Sequence, residues 1–153
     1  MHILLETGGL TLGDEYATYQ VSIAEDFIMN LPTRYDDVKF LEGDPSEYCV
    51  IMRRAGGDYY VAGITLHDKE FVVDLSFLED GKEYQVEIYY DEIYVEEGDD
   101  GWGTVVPISN VTVKAQKDDM GLLRRTQKAT KNTKLKISAM ETGGFALKIS
   151  EIK

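Results

Sequence analysis

One stretch of the chain, residues 47–78, constrains the fold more than any other. It contains three apolar segments with the lengths of β-strands, and the first two flank the turn Ala-Gly-Gly-Asp at residues 55–58. A Gly-Gly pair supplies the positive φ that a short hairpin turn requires. The pattern therefore predicts a hairpin of residues 47–53 and 59–64, followed by a third strand over residues 70–75.

The first strand of this hairpin carries apolar side chains on both of its faces. Tyr48, Val50 and Met52 alternate with Cys49 and Ile51. A strand that is apolar on both faces is usually buried on both faces. We therefore expect the hairpin to lie at the centre of a β-sandwich, with another part of the molecule covering its second face.

The remainder of the chain also has a β pattern. Residues 83–90 alternate apolar with polar side chains, and shorter candidate strands occupy residues 108–113, 134–139 and 145–149. About eight short strands at this spacing predict a mainly β fold, an antiparallel β-sandwich. The polar, basic stretch over residues 118–133 lacks this alternation and is predicted to form a long loop.

The first 31 residues have a different pattern. The apolar run at residues 3–5 is compatible with a short buried strand of the parallel type, but it is too short for the pattern alone to decide between a strand and another element. Ser22 and Glu25 have the spacing of a capping box, which predicts a helix that begins at Ser22 and stops before the next proline. We therefore divide the chain into residues 1–31 and a β-sandwich domain of residues 32–153.

Composition excludes several classes of function. The 153 residues carry a formal net charge of −12, which disfavours nucleic acid and anionic membranes as partners because both are bound through Lys and Arg. A single cysteine, Cys49, excludes an internal disulfide. No apolar run reaches the roughly 20 residues of a membrane span, and the start of the chain has no signal-peptide pattern.

Three ordered motifs resemble a known family. They are EGDPSEYCVIMRRAGGDYYVAGIT at residues 42–65, DLSFLEDGKEYQVEIYYD at residues 74–91 and ETGGFALKI at residues 141–149. Together they are similar to the C-terminal region of glycoside hydrolase family 97. The sequence MHILLETGGL at residues 1–10 resembles the last strand of that family's catalytic barrel.

The resemblance implies a function without catalysis in this chain. Family 97 enzymes are bacterial, usually periplasmic or secreted, and cleave α-glucosidic or α-galactosidic bonds. Their C-terminal β-sandwich follows the barrel and is thought to act in oligomerisation. Their catalytic carboxylates and calcium ligands lie in the barrel, so we expect no catalytic residue, metal site or cofactor here. The leading interpretation is a non-catalytic accessory or oligomerisation domain, with residues 1–31 as the barrel end and connecting helix.

A free-standing carbohydrate-binding module is the alternative. Trp102, with Tyr89 and Tyr94 near it in sequence, is a candidate aromatic platform for a sugar ring, although aromatic residues on strands are more often part of a core or an interface. The acidic run at residues 91–100 lacks the ligand spacing of an EF-hand, and a solvated loop without calcium is expected there.

The predicted partners are a second copy of the chain or the barrel of a parent enzyme. The central hairpin is apolar on two faces, and residues 1–31 are predicted to be too small to cover the second one. Exposed apolar patches of several hundred Å² tend to become interfaces. We therefore expect a homodimer with Tyr48, Val50, Tyr59 or Tyr60 at or near the contact.

Overall fold

The computed structural model of the protein describes residues 3–4, 16–91, 93–96, 102–106 and 113–153. In that part of the chain two short helices precede eleven strands, three more than the approximate count predicted. The helices are α1 (Tyr16–Gln20) and α2 (Glu25–Met29). The strands are β1 (Asp37–Asp44), β2 (Tyr48–Ala55), β3 (Asp58–Thr65), β4 (Lys69–Asp74), β5 (Tyr84–Tyr90), β6 (Ile93–Glu96), β7 (Trp102–Val106), β8 (Val113–Lys117), β9 (Leu123–Ala129), β10 (Lys134–Ala139) and β11 (Gly144–Glu151).

The strands form two antiparallel sheets, which confirms the predicted mainly β fold. The large sheet has the order β1-β2-β3-β11-β5-β9-β8-β7-β6, and β10 pairs with β4 in a small second sheet. The predicted hairpin is β2–β3, in which Ala55 pairs with Asp58 around a two-residue turn. Gly56 has a φ of 59° in that turn, a conformation that glycine adopts at little cost.

The main core lies between the two sheets. The small sheet contributes Phe71, Val73, Leu135 and Ile137, and the inward side chains of β2, β3, β5 and β11 pack against them. Because side chains alternate along a strand, each strand of the large sheet also presents every second residue to its other surface. We call that second surface the outer face.

Part of the outer face is covered by residues 3–4 and 16–31, which we call the N-terminal cover. A second apolar cluster joins Ile3, Ala24 and Phe27 of the cover to Tyr60, Ala62 and Tyr89 of the sheet. The expectation that residues 1–31 are too small to cover this face is thus wrong for the part over β3 and β5. The part over β1 and β2 remains open, as described below.

The predicted long loop over residues 118–133 is wrong. It contains β9, which pairs along its full length with β5, from Tyr84 opposite Ala129 to Tyr90 opposite Leu123. Only the two end residues of β9, Leu123 and Ala129, are buried, and polar residues fill the middle. The strand is specified by its backbone ladder and by polar contacts with neighbouring strands, which an apolar periodicity does not reveal.

The predicted capping box is also wrong. Helix α2 begins at Glu25, and its N-cap residue, Ala24, provides no side-chain hydrogen bond. The Ser22 hydroxyl instead donates to Asp118, far away in sequence. The candidate strand at residues 3–5 is replaced at residues 3–4 by a turn, while Leu5 lies outside the described residues.

Most of the predicted strand at residues 108–113 also lies outside the described part of the chain, although β8 begins at Val113. Neither of the two described helices is long and apolar enough to cross a membrane.

Candidate functional site

Aromatic rings fix the N-terminal cover to the outer face. The Phe27 ring lies 4.8 Å from the Tyr89 ring and 6.5 Å from the Tyr60 ring, centroid to centroid. Tyr35 packs edge-on against Tyr60 at 5.9 Å. A helix of five residues is not stable by itself, so α2 depends on this packing for its existence.

A buried carboxylate ties the cover to the turn between β8 and β9. Asp118 Oδ2 accepts hydrogen bonds from the Ser22 hydroxyl at 3.1 Å and the Ile23 backbone N–H at 3.3 Å. Asp118 Oδ1 accepts from the backbone N–H groups of Met120 at 3.0 Å and Leu122 at 2.9 Å. One side chain therefore organises its own turn and holds the segment of the cover just before α2.

Arg53 makes a second tie to the cover. Its Nε donates to the Ile3 carbonyl oxygen at 2.6 Å, and its guanidinium carbon lies 5.3 Å from the centre of the Tyr35 ring. The side chain is buried, and stacking on an aromatic face is a favourable setting for a guanidinium group. Burial raises the pKa of Tyr35 to about 12, with a further increase from Tyr60 and an opposing effect of Arg53.

A polar network lies beside the cover on β5 and β9. Glu87 Oε2 accepts hydrogen bonds from the Tyr89 hydroxyl and from Arg124 Nη2, each at 2.9 Å. Burial raises the pKa of Tyr89, the hydrogen bond to Glu87 raises it further, and Arg124 opposes the change. The network keeps Tyr89 neutral and fixes its ring beneath Phe27.

The open part of the outer face contains a pocket of about 420 Å³ at one end of β1, β2 and β3. Its exposed surface is mostly apolar. Three large apolar residues on its wall are unusually exposed: Phe40 by 62%, Ile64 by 48% and Leu66 by 49%. The remaining wall comes from Gly43, Asp44, Pro45, Ser46, Glu47, Tyr48, Cys49 and Thr65.

Backbone hydrogen bonds hold the rim of this pocket in place. The Leu66 N–H donates to the Glu47 carbonyl at 2.9 Å, and the Thr65 N–H donates to the Gly143 carbonyl at 3.0 Å. The Thr65 hydroxyl also donates to the His67 carbonyl at 2.8 Å. The pocket is therefore formed in the folded chain and does not need a ligand to shape it.

The residues predicted for an interface lie in different places. Val50 and Tyr59 are buried between the two sheets, and Tyr60 is buried beneath the N-terminal cover. Tyr48 is partly exposed and lies in the wall of the pocket, while its ring packs edge-on against Phe71 at 6.0 Å. An interface through these residues stays a prediction, and Tyr48 has the partly exposed surface that direct contact requires.

The residues predicted for a sugar platform are not brought together by the described contacts. Tyr89 is buried, with its ring against Phe27 and its hydroxyl on Glu87. Tyr94 pairs with Val105 in the β6–β7 ladder, and the side chains of Tyr94 and Trp102 lie outside the described part of the chain. Carbohydrate binding stays a prediction.

Sequence reasoning missed Phe40, Ile64 and Leu66 as site residues. The available signal was the alternation of Val38 and Phe40 in a strand that is now seen to form the edge of the sheet. Without knowing that β1 is an edge strand, these apolar residues read as ordinary core. The pocket depends on the sheet order, which the sequence pattern does not specify.

Comparisons with known proteins agree on one family. The family model described as "Glycosyl-hydrolase 97 C-terminal, oligomerisation" matches residues 34–150. A retaining alpha-galactosidase from Bacteroides thetaiotaomicron is 32% identical over 124 residues, which are 80% of this chain and 16% of that protein.

Solved structures support the same fold. A glycoside hydrolase family 97 enzyme from Pseudoalteromonas sp. strain K8 superposes with a TM-score of 0.65 at 21% identity, over 85% of this chain and 18% of that one. A beta-arabinopyranosidase gives a TM-score of 0.53 at 19% identity, over 82% of this chain and 16% of its own. The chain therefore spans less than a fifth of the length of these relatives.

Proposed function

We propose that this chain, which belongs to the glycosyl-hydrolase 97 C-terminal family, acts in the assembly of a longer glycoside hydrolase as its non-catalytic C-terminal domain. The family match over residues 34–150 carries the proposal, because it includes every described strand from β1 to the penultimate residue of β11. The similarity to a retaining alpha-galactosidase supports hydrolysis of α-glycosides as the activity of the whole enzyme.

The N-terminal cover gives this role a physical basis. Residues before the family match are held on the outer face through Phe27, Asp118 and Arg53. A connection that is packed and hydrogen-bonded restricts the orientation of whatever precedes it far more than a flexible linker does. We propose that residues 1–31 are the end of a catalytic barrel and its connecting helix, and that residues 32–153 are the sandwich.

The proposal also assigns the chemistry. Glycosidases of the common kinds use two positioned carboxylates, and we place these and any calcium ion in the preceding barrel. The sandwich then contributes to stability and assembly and leaves the reacting sugar to the barrel. The chain alone is accordingly expected not to hydrolyse aryl α-glucosides or α-galactosides.

A chimaera tests the proposed role. The region of the Bacteroides enzyme that matches this chain is deleted in one variant and replaced by the corresponding part of this chain in another. We expect the deletion to lower α-galactosidase activity or thermal stability, and the replacement to restore a substantial part of the loss. A matched control is the same replacement with Asp118→Ala, which breaks the tie between cover and sheet and should restore less.

Two results contradict the proposal. One is turnover of an aryl α-glycoside by this chain alone that is abolished by substituting one of its own acidic residues. The other is a deletion variant of the relative that matches the intact enzyme in activity, stability and oligomeric state. The first result removes the assignment as a non-catalytic domain, and the second removes assembly as the reason for the domain.

A further inference from the structure

We propose that the pocket at the end of β1, β2 and β3 is a contact surface for a second copy of this chain, with Phe40 of each copy seated in the pocket of the other. This inference rests on the proposed assembly function and specifies the surface that performs it. The family description names oligomerisation, and the open part of the outer face is where the described chain leaves large apolar side chains clustered around a hollow.

The exposure of these side chains distinguishes the patch from an ordinary surface. Single exposed apolar residues are normal on a soluble protein, whereas a cluster around a concave region marks a binding site. Phe40, Ile64 and Leu66 all lie in the wall of the same pocket. Val38 is 50% exposed and extends the apolar patch along β1. The patch adjoins the apolar cluster beneath the N-terminal cover, since Ile64 follows Ala62 on the same face of β3.

The surface is suited to a contact with itself. A Cβ atom at Gly43 would meet the Phe40 ring at 3.0 Å and the Tyr48 carbonyl oxygen at 2.9 Å, so one side of the Phe40 ring lies against the glycine backbone. Phe40 is itself part of the pocket wall, and 62% of its surface is exposed. A two-fold interface uses the same patch on both copies, and an exposed ring at the wall of a hollow satisfies that requirement.

The chemistry of the pocket favours an apolar side chain over a sugar. A sugar brings many hydroxyl groups, and burying these against an apolar surface without hydrogen-bond partners is unfavourable. A phenyl ring has no such groups. Because hydrogen bonds already fix Thr65 and Leu66 in the rim, seating Phe40 requires little further ordering of the backbone.

Charge limits how the two copies meet. Asp44 and Glu47 lie in the pocket wall, and the chain has a formal net charge of −12, so the copies repel each other at low ionic strength. Salt screens this repulsion but leaves apolar contact intact. The dimer is therefore expected to strengthen from low to physiological salt, unlike an interface that depends on ion pairs.

Sedimentation velocity of the full 153-residue chain across micromolar concentrations tests the surface. We expect a monomer–dimer equilibrium for the unmodified chain and a dissociation constant at least roughly tenfold higher for Phe40→Ser, because truncating a central aromatic anchor is costly. Val72→Ser is the control: Val72 is 45% exposed on β4 and is not part of the pocket wall, so its substitution should leave the dimer unchanged. Thermal melts verify that both variants fold.

Cys49 provides a second measurement that needs no substitution. It is the only cysteine, it is partly exposed, and it lies in the pocket wall. Its reaction with a maleimide should slow as the unmodified chain is concentrated through the dimer midpoint. In Phe40→Ser the rate should stay constant over that concentration range.

The outcomes separate this inference from the proposed function. A dimer that persists in Phe40→Ser, with Cys49 equally reactive at all concentrations, overturns the pocket as the contact while assembly by another surface remains. A chain that is monomeric at every concentration and salt overturns self-contact altogether, and the chimaera then decides the proposed function on its own. Loss of the dimer in Val72→Ser as well as Phe40→Ser also overturns the assignment, because the effect is not specific to the pocket.

Discussion

The tie between Ser22 and Asp118 gives the sharpest test of how the N-terminal cover is held. The perturbation is a double-mutant cycle of Ser22→Ala, Asp118→Ala and the pair. Ser22→Ala removes the 3.1 Å bond to Asp118 and the 3.2 Å bond that the Ala24 N–H donates to the hydroxyl oxygen. Leaving these groups without partners in a buried site costs about 1–3 kcal/mol.

Asp118→Ala is expected to cost more. Its carboxylate accepts hydrogen bonds from Ser22, Ile23, Met120 and Leu122, so the turn before β9 and the cover both lose an acceptor. The Ser22 hydroxyl is buried and the three backbone donors are partly buried, so at the low end of about 1–3 kcal/mol for each orphaned donor the total should be at least ~3 kcal/mol. Both single substitutions remove the hydrogen bond between Ser22 and Asp118, so the cycle should give a coupling free energy of about 1.5–3 kcal/mol.

Urea unfolding of the four proteins measures this coupling. The neighbour Asp119 is exposed, and Asp119→Ala combined with Ser22→Ala serves as the control cycle, which should be additive within about 0.5 kcal/mol. A coupling free energy in the Ser22–Asp118 cycle as small as that of the control cycle would refute the reasoning. That result would mean that the cover is not part of the cooperatively folded unit.

Three further outcomes are expected. A methyl group at Gly63 would overlap the Phe145 ring, so Gly63→Ala should cost about 1–3 kcal/mol and lower the melting temperature by several degrees, whereas Gly57→Ala, with nothing within 4 Å, should not. Because burial raises the pKa of Tyr35 from 10.0 to about 12, the neutral hydroxyl contributes fully to stability below pH 10, and this contribution is lost between pH 10 and 12. The free energy of unfolding, measured by chemical denaturation, should therefore fall less steeply over that interval in Tyr35→Phe than in the unmodified chain. We expect the acidic run at residues 91–100 to bind no metal, so millimolar calcium should leave the melting temperature unchanged. Most side chains of this run lie outside the described part of the chain. A rise in the melting temperature that Asp99→Asn abolishes would contradict this.

The central hairpin was predictable because its sequence satisfies several independent rules at once. Strands predicted at residues 47–53 and 59–64 correspond to Tyr48–Ala55 and Asp58–Thr65 in the structure. Apolar alternation, β-branched residues and a glycine turn all specify the same local conformation. The ends differ by one or two residues because the ladder continues wherever backbone partners exist, whatever the side chains are.

Strand β9 and the capping of α2 were not predictable in the same way. Arg125 Nη2 donates to the Lys136 carbonyl of β10 at 2.9 Å, and Arg124 pairs with Glu87 on β5. These partners are distant in sequence, so the polar residues between Leu123 and Ala129 read as loop. Ser22 likewise matches a local capping pattern, but its hydroxyl donates to the carboxylate of Asp118, which the fold brings close.

The pleat of the large sheet explains why the hydrophobic pattern predicts that the hairpin needs a second cover but does not predict where the open surface lies. Val50 and Tyr59 share the inner face and complete the main core, whereas Ile64 and Phe40 share the outer face. Sequence reasoning recognised that the hairpin is apolar on both faces, but the assignment of each residue to core, cover or open surface depends on the order of the strands.

The two parts of the outer face differ in the kind of contact that they support. Beneath the N-terminal cover, Asp118 and Arg53 form directional hydrogen bonds that demand particular partners at fixed positions, which suits a contact made once, during folding. Around Phe40 the surface is apolar and its backbone is already hydrogen-bonded, which suits a contact made and released between folded molecules. The proposed function assigns two tasks to the domain, orienting the preceding part of its chain and associating with a second copy, and each task needs a surface of a different kind. Strand β3 carries both surfaces, with Tyr60 under the cover and Ile64 in the open pocket.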